Sequence, residues 1–443
     1  MLSVVTEPYF TGKVSDVVLL PISINYEKFV EGEKHVGELL GENKKQPTLK
    51  KFLEATFGKV LGTSYGRINV QFADAIYLSQ FVDKCKIEHS IMNPSENVDD
   101  KHQVVERLAY KIIHDFNKES ICMSTAIISS IMLSNRHGIT FNEVLDKYQW
   151  ICKMIEERGF RVDYFRDKTN QEIVKRAIHL IGENVLTNKH GMIQIKLEKK
   201  EDLSNLGLLG IYRNQIPHVF FTESVMCCAV FSLQSQSVGE EKDSPVSLSS
   251  LLERSEFLAN LMRVDFHVSE EPKNKIDFNS VLKVLISRNI LKENHDNSIS
   301  LCSNSEETFY WMCSLLWPFI DGYWVASVSL YSLLNGESIE ENRLLDRMLW
   351  LTEKLFHDNV LLHYDACSKE VMRCAVTVFV EDGLLSRKSN SSLCLSEPFL
   401  QNEKKVSTFS NFVSSFRKTP LSSEKNYTRK GLVSHFPSLL SRI

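Results

Sequence analysis

The fold prediction for this sequence starts from residues 20–28, which read Leu-Pro-Ile-Ser-Ile-Asn-Tyr-Glu-Lys. With the Val-Val-Leu before them at 17–19, they form a largely apolar run that is rich in β-branched side chains. Such a run is typical of a strand buried on both faces of a parallel sheet. The run ends in polar residues, and open α/β folds bind ligands at the carboxyl edge of the sheet. The sequence therefore predicts four side chains at a ligand-binding edge: Ser23, Asn25, Tyr26 and Lys28.

A second strand and a helix complete the prediction for this region. Ile68–Phe72 has the same apolar, β-branched character, and residues 49–61 carry a helical pattern. Strand, helix and strand together predict one βαβ unit. A parallel strand buried on both faces needs neighbours on either side, and residues 1–16 are too few to supply them. We therefore expect the sheet to be incomplete in this chain, with a preceding half missing.

The remaining sequence predicts a large helical region. Residues 93–103 are polar and contain several Asn and Asp residues, which predicts a linker. Over 104–400 apolar side chains recur at the spacing of amphipathic helices, with a Ser- and Glu-rich loop at 235–247. Residues 401–443 are rich in Ser and Lys and predict a loose tail. The predicted fold class is mixed α/β and mostly α: the C-terminal part of an α/β domain over 1–92, followed by a helical domain.

Three stretches of the helical region resemble one another. Residues 175–197, 281–301 and 371–395 each predict a helix, a polar turn and a short strand. A helix followed by a hairpin is the last part of a winged-helix unit, so nucleic-acid binding is one hypothesis for this region. That function needs Lys and Arg on the recognition helices, whereas acidic side chains lie there or beside them: Glu172, Glu183, Glu370 and Glu381. The composition therefore disfavours a nucleic-acid partner.

Bulk composition narrows the classes of function further. The 443 residues are 43% apolar and carry a formal net charge of −4, so the chain as a whole has no electrostatic attraction for nucleic acid. The ten cysteines follow no metal-site or disulfide spacing, which predicts reduced, mostly buried thiols and no metal or cofactor. No apolar stretch reaches the ~18 residues of a membrane span. Residues 121–133 and 219–233 come nearest, and we interpret them as core helices or as short membrane contacts.

The stretch at 21–28 resembles the fourth motif block of the glycerol-3-phosphate / dihydroxyacetone-phosphate acyltransferase family. That block follows a strand and reads roughly Val/Ile-Pro-Val/Ile-x-Ile-x-Tyr-Asp/Glu-Arg/Lys. Gly-Glu-Leu-Leu-Gly at 37–41 and Tyr-Gly-Arg-Ile-Asn-Val-Gln-Phe at 65–72 resemble the family in order and spacing. The length after this block is most similar to the mitochondrial glycerol-3-phosphate branch. Three later segments extend the resemblance over nearly the whole chain: 123–125, 177–182 and 214–220.

The resemblance implies an activity and a set of partners. Full-length members would transfer an acyl group from acyl-CoA, a co-substrate, to the 1-hydroxyl of glycerol 3-phosphate, or to dihydroxyacetone phosphate, in glycerolipid and phospholipid synthesis. It also implies association with a membrane, with the mitochondrial outer membrane expected ahead of the endoplasmic reticulum or the peroxisome. Residue by residue, four positions carry over as lining of the acyl-donor or glycerol-phosphate pocket: Pro21, Ile24, Tyr26 and Lys28.

Departures from the family pattern imply that this chain is inactive by itself. The family uses a His-x4-Asp block as catalytic base, and none of the 13 histidines here has Asp five residues on. The Phe-x-Glu-Gly-x-Arg-Ser block that grips the substrate phosphate is absent too. Loss of general-base catalysis alone costs about 10²- to 10⁴-fold in rate. The alternative hypothesis is a non-catalytic regulatory module that binds a membrane or a partner protein.

Overall fold

The structure is a computed structural model, and it describes residues 2–29, 32–41, 66–89, 91, 93–199, 202–235, 244–267, 275–388 and 392–419. Helices make up most of the described chain and the strands are short. The predicted fold class, mixed α/β and mostly α, is therefore confirmed. The predicted helix at 49–61 lies outside the described residues.

The N-terminal region contains two separate strand pairs. Strands β2 and β3 form one antiparallel pair, which we call the ribbon, and β1 pairs antiparallel with β4. The prediction of a parallel βαβ unit is therefore wrong. The physical reason lies in the alternation of apolar and polar residues over β2, which gives the strand two different faces instead of two buried ones. The elements of this region are α1 (Leu2–Phe10), β1 (Val18–Leu19), β2 (Ile22–Tyr26), α2 (Gly32–Leu39), β3 (Ile68–Phe72), β4 (Ile76–Tyr77), α3 (Leu78–His89) and α4 (Val98–Lys118).

A small core of its own holds α1, α3, α4 and β4 together. Phe10, Leu78 and Val82 are buried there against Val104 and Leu108 of α4. The predicted linker at 93–103 is correspondingly shorter in the structure. Helix α4 already begins at Val98, because the Asn97 side chain accepts hydrogen bonds from the first free backbone N–H groups of the helix.

The rest of the chain repeats one topology three times. Each repeat runs helix, strand, helix, helix, strand, strand, and its three strands form one antiparallel sheet with the last strand in the middle. This is the winged-helix topology that the three similar stretches of sequence indicated. The first unit contains α5 (Ser124–Ser134), β6 (Ile139–Thr140), α6 (Phe141–Glu156), α7 (Asn170–Ile181), β8 (Leu186–Lys189) and β9 (Met192–Ile195).

The second and third units follow without a break in the pattern. The second contains α9 (Pro217–Gln234), β10 (Val246–Ser247), α10 (Leu248–Leu261), α11 (Phe278–Ser287), β11 (Leu291–Glu293) and β12 (Ser298–Leu301). The third contains α12 (Glu306–Ser329), β13 (Ile339–Glu340), α13 (Glu341–His357), α14 (Lys369–Glu381), β14 (Leu385–Arg387) and β15 (Ser392–Leu395). Further elements are β5 (Ile121–Cys122), β7 (Arg161–Val162), α8 (Leu203–Arg213) and α15 (Glu403–Ser414).

The first helices of the three units form the centre of the molecule. Helices α5, α9 and α12 are buried over most of their length in one continuous apolar core. The apolar segments 121–133 and 219–233 therefore pack inside the protein, as core helices do. No single described helix is long and apolar enough to cross a membrane. Helices α8 and α9 reach that length and apolar character only when they are taken together, and their axes are bent by 99° relative to each other.

The chain after residue 400 is ordered for a further helix. The prediction of a loose tail over 401–443 is wrong for residues 403–414, because α15 packs against α12 and buries Val406 and Val413 in the main core. Lys404, Lys405 and Thr408 are exposed on its outer face, and the Ser- and Lys-rich composition is why the sequence indicated a tail. Residues 420–443 lie outside the described residues.

Candidate functional site

The ribbon presents opposite chemistries on its two faces. Its register pairs Ile22 with Phe72, Ile24 with Val70 and Tyr26 with Ile68. Because side chains alternate along a strand, these three pairs share one face. All six side chains on it are exposed, between 37% and 60%. Helices or a second sheet cover an apolar sheet face in most folded proteins, so this open face marks a contact surface.

The opposite face of the ribbon is polar and packs on the first winged-helix unit. Glu27, just after β2, is fully buried, and its carboxylate forms a salt bridge with Arg176 of α7 at 2.8 Å. The backbone N–H of Arg67 donates to the same carboxylate at 2.9 Å. The Thr125 hydroxyl donates to the backbone carbonyl of Glu27 at 2.6 Å. Burial raises the pKa of Glu27, and Arg67 and Arg176 oppose that shift.

Two asparagines continue this polar contact. The side-chain oxygen of Asn25 accepts a hydrogen bond from the backbone N–H of Ile121 at 3.0 Å. Asn69 donates to the Asp163 carboxylate at 3.0 Å, and burial raises the pKa of Asp163. Asn25, one of the four residues that the sequence placed at a ligand-binding edge, thus helps to hold the ribbon to the helical body.

The four predicted pocket residues lie in different environments. Ile24 and Tyr26 lie on the exposed apolar face. Pro21 is buried, and its carbonyl accepts a hydrogen bond from Ala73 across the start of the ribbon at 3.0 Å. Lys28 is half-buried just after the strand. The structure brings Ile24 and Tyr26 together on one surface, with Pro21 and Lys28 at either end of the strand.

Tyr26 connects the exposed face to the helical body. Its ring lies 6.3 Å from that of Phe29, which in turn lies 5.2 Å from the ring of Tyr212 on α8. The backbone N–H of Phe29 donates to the Tyr212 hydroxyl at 3.3 Å. Burial raises the pKa of Tyr212 to about 12, so this hydroxyl stays protonated at neutral pH.

A buried ionic cluster lies just before the start of α14. Asp321 of α12 accepts hydrogen bonds from Arg417 at 2.6 Å and contacts His363 at 2.8 Å. Arg213 pairs with Asp365 at 2.7 Å, and both side chains are buried. Partners so far apart in the chain leave no local signal in the sequence, so only the tertiary structure reveals them.

The arrangement around His218 is not that of a catalytic base. His218 is buried, and its Nε2 lies 2.8 Å from the Ser120 hydroxyl. The Ser120 hydroxyl donates its one hydrogen to the Asn117 carbonyl at 2.7 Å, so the imidazole N–H donates to the serine oxygen. Burial lowers the pKa of His218 to about 4, which keeps the ring neutral. In the described part of the chain, no group of three or more His, Cys, Asp or Glu side chains has the geometry of a metal site.

The fold and the ribbon together define the class of protein. A two-stranded ribbon with one open apolar face is joined through a polar face to a helical body of three winged-helix units. The family described as "Glycerol-3-phosphate acyltransferase C-terminal region" matches residues 35–388, about four-fifths of the sequence. The chain therefore belongs to the glycerol-3-phosphate acyltransferase family.

Two groups of characterised proteins are similar to this chain. Dihydroxyacetone phosphate acyltransferase from Homo sapiens is 24% identical over an aligned length of 412 residues, gaps included, which covers 89% of this chain and 58% of the relative. The Oryctolagus cuniculus protein of the same name is 25% identical over an aligned length of 406 residues, which covers 88% of this chain and 57% of the relative. Mitochondrial glycerol-3-phosphate acyltransferase 1 from Rattus norvegicus is 23% identical over an aligned length of 270 residues, which covers 53% of this chain and 32% of the relative. The chain spans little more than half the length of these dihydroxyacetone phosphate acyltransferases.

Proposed function

We propose that this chain is the C-terminal part of a glycerol-phosphate O-acyltransferase and that the open face of the ribbon is one wall of its composite active site. The other wall would be the half of the α/β domain that carries the His-x4-Asp block. The observation that carries the proposal is the row of six exposed apolar side chains on a strand pair whose sequence resembles the family's fourth motif block. A two-stranded ribbon is only marginally stable by itself, which also favours completion by further strands.

The proposed reaction is transfer of an acyl group from acyl-CoA to the 1-hydroxyl of glycerol 3-phosphate, or to dihydroxyacetone phosphate. The hydroxyl oxygen attacks the thioester carbonyl, a C–O bond forms, the C–S bond breaks and CoA leaves as the thiol. A histidine base takes the hydroxyl proton. In this scheme Ile24 and Tyr26 line the acyl-donor side, Pro21 sets the start of the strand and Lys28 supplies a cation near the phosphate. The chain contains no His-x4-Asp sequence, so we expect no transfer by the chain alone.

A chimera tests this function. The chain replaces the homologous part of human dihydroxyacetone phosphate acyltransferase, and CoA release is measured with each acyl acceptor. We expect the chimera to be active, and Tyr26→Ala to lower its kcat/KM by about 10-fold, the rate equivalent of about 1.4 kcal/mol of transition-state stabilisation. The matched control is Tyr77→Ala, at another exposed tyrosine, which lies on β4 outside the ribbon. A folded chimera without activity on either acceptor, beside an active parent enzyme, would contradict the proposal.

The exposed ribbon face also supports the alternative, a regulatory module that binds a partner protein. Binding to a membrane through residues 121–133 or 219–233 loses its basis, because both segments are buried. Gel filtration of the purified chain distinguishes the acyltransferase hypothesis from the regulatory-module hypothesis. A stable monomer favours an independent module, whereas aggregation favours the part of a larger α/β domain.

We also propose a mitochondrial outer-membrane location, on the similarity to the mitochondrial acyltransferases. Fractionation of cells that express the tagged full chain tests it. Recovery with soluble protein, or with endoplasmic reticulum or peroxisomes, would count against this location.

A further inference from the structure

A cleft separates the first winged-helix unit from the second, far along the chain from the ribbon. It is lined by the C-terminal end of α6, by the turn between α11 and β11, and by the turn between β12 and α12. Its volume is about 780 Å³, which is within the usual range of small-molecule sites. Trp150, Met154 and Ile290 supply the apolar part of its wall.

Cations outnumber carboxylates in the lining. Lys153, Arg158, Arg288 and Lys292 line the cleft, and Glu157 is the carboxylate among the described lining residues. Arg158 is already neutralised, because Nε and Nη2 of its guanidinium both donate to the Glu223 carboxylate inside the protein. It therefore adds no net charge to the cleft.

The remaining three cations share one weakly paired carboxylate. Glu157 lies 3.8 Å from Arg288 and 3.9 Å from Lys153, longer than a good charge-assisted hydrogen bond. Among the described residues Lys292 has no ion pair. The side-chain amides of Asn289 and Asn304 are exposed at the same cleft and donate to no described residue. The cleft thus offers two net positive charges and free N–H donors.

The three repeated units provide an internal comparison. Arg288 follows α11 directly, and Lys292 is the middle residue of β11. The equivalent positions are Gly182 and Thr187 in the first unit, and Asp382 and Ser386 in the third. The cations at this turn are therefore peculiar to the second unit and do not follow from the topology. The N-terminus of α12 does not favour a bound anion, because Glu306 and Glu307 lie in its first turn.

We propose that this cleft binds a phosphorylated small molecule of nucleotide size. The phosphate would lie between Arg288, Lys292 and Lys153, and the organic part would pack against Trp150 and Met154. Arginine and lysine side chains are the usual partners of phosphate, and a guanidinium binds it with two parallel hydrogen bonds. Such a site is formed by residues of the helical body and contains no residue of the ribbon.

Isothermal titration of the full chain with ADP, in metal-free buffer, tests the proposal. Adenosine serves as the uncharged probe and inorganic phosphate as the probe without a ring. We expect saturable binding of ADP, weaker binding of phosphate and no binding of adenosine. The double variant Arg288→Gln with Lys292→Gln should weaken ADP binding by at least about 10-fold, since each lost charge-assisted hydrogen bond removes roughly a tenfold in affinity.

The control variant makes the same change of charge on a surface outside the cleft. Lys84→Gln with Lys86→Gln alters two exposed lysines of α3 and should leave the affinity within about twofold. If the cleft variant does not fold, Asn304→Asp, which adds a negative charge at the rim, should give the same loss. Absence of ADP binding, equal binding of adenosine, binding of phosphate as tight as that of ADP, or equal loss in the lysine control would each overturn the proposal. None of these results depends on acyltransferase activity.

Discussion

Glu27 is the residue through which the ribbon is attached to the helical body. Its carboxylate is fully buried, yet three groups from different parts of the chain bind it or its carbonyl. Removing one partner of a buried ion pair leaves a charge without compensation. The attachment should therefore depend strongly on Arg176.

We expect Arg176→Ala to lower the free energy of unfolding by about 2–4 kcal/mol, somewhat less than for a fully buried pair because the Arg176 side chain is partly exposed. Urea denaturation followed by circular dichroism measures the change. Lys175→Ala, one residue earlier on the same helix, is the control and should cost no more than about 0.5 kcal/mol. Equal effects of the two substitutions would show that the ion pair does not hold the ribbon.

Asp265 makes stability depend on pH. Burial raises its pKa from 3.8 to about 6, and its carboxylate accepts the hydroxyl hydrogen of Tyr323 at 2.5 Å. Because the folded-state pKa is raised, the folded protein holds this proton more tightly than the unfolded chain does. The resulting stabilisation is present at low pH and is lost as pH rises through about 6.

We therefore expect the free energy of unfolding of the unsubstituted chain, relative to that of Asp265→Asn, to fall by about 3 kcal/mol between acidic and neutral pH. Urea denaturation at a series of pH values measures both proteins, and the comparison cancels the titration of the other carboxylates. A relative stability of the unsubstituted chain that is constant over this range, or that rises with pH, would contradict the raised pKa.

Among the elements, α15 is held on the core by its apolar face and by one buried charged side chain just beyond its end. The guanidinium of Arg417 binds Asp321 at 2.6 Å and the carbonyl of Val360 at 3.1 Å. It also lies 3.6 Å from the centre of the Trp324 ring. Both charged side chains are fully buried, so this contact fixes the position of the last described helix on α12.

We expect Arg417→Ala to destabilise the protein by about 3–5 kcal/mol, because Asp321 would keep only His363 as a partner. Thermal unfolding measures the loss, and limited proteolysis should cut the chain near α15 first. Lys404→Ala, on the exposed side of α15, is the control. An unchanged melting temperature for Arg417→Ala would mean that apolar packing alone holds this helix.

The winged-helix units also show that a topology typical of nucleic-acid binding can serve other contacts. The third helix of the first unit, α7, turns Arg176 toward Glu27, so the ribbon occupies the side that would otherwise face a ligand. The third unit places Glu381 and Asp382 at the same turn, where both pair with Arg263. The winged-helix topology by itself therefore does not imply nucleic-acid binding.

For the whole molecule, we expect no binding to duplex DNA. The formal net charge is −4, and winged-helix proteins that bind DNA need a basic recognition surface. Fluorescence anisotropy with a labelled duplex at low salt measures this. Saturable binding that weakens steeply with added salt would overturn the expectation.

The open ribbon face should govern how the whole molecule associates. Exposed apolar patches drive association in water, so the isolated chain should self-associate as its concentration rises. Ile24→Lys with Phe72→Lys should suppress this in analytical ultracentrifugation without lowering the melting temperature. Val4→Lys with Ile87→Lys changes two exposed apolar residues outside the ribbon and should leave association unchanged. Association that persists in the ribbon variant would remove the support for a contact surface there.

The sequence by itself determined the family, the mostly helical class and the three helix-hairpin repeats. These features are local, because motif blocks and amphipathic patterns each depend on residues that are close together in the sequence. The three repeats correspond to α7, α11 and α14 with their hairpins in the structure. Only the tertiary structure decided the direction of the ribbon and the role of its polar residues. Pairing of β2 with β3 and burial of Glu27 against Arg176 join positions far apart in the chain, and no local pattern records such partners. The Asp321 cluster and the cationic cleft could not be predicted from the sequence for the same reason, because each is formed by helices that meet only in the folded protein.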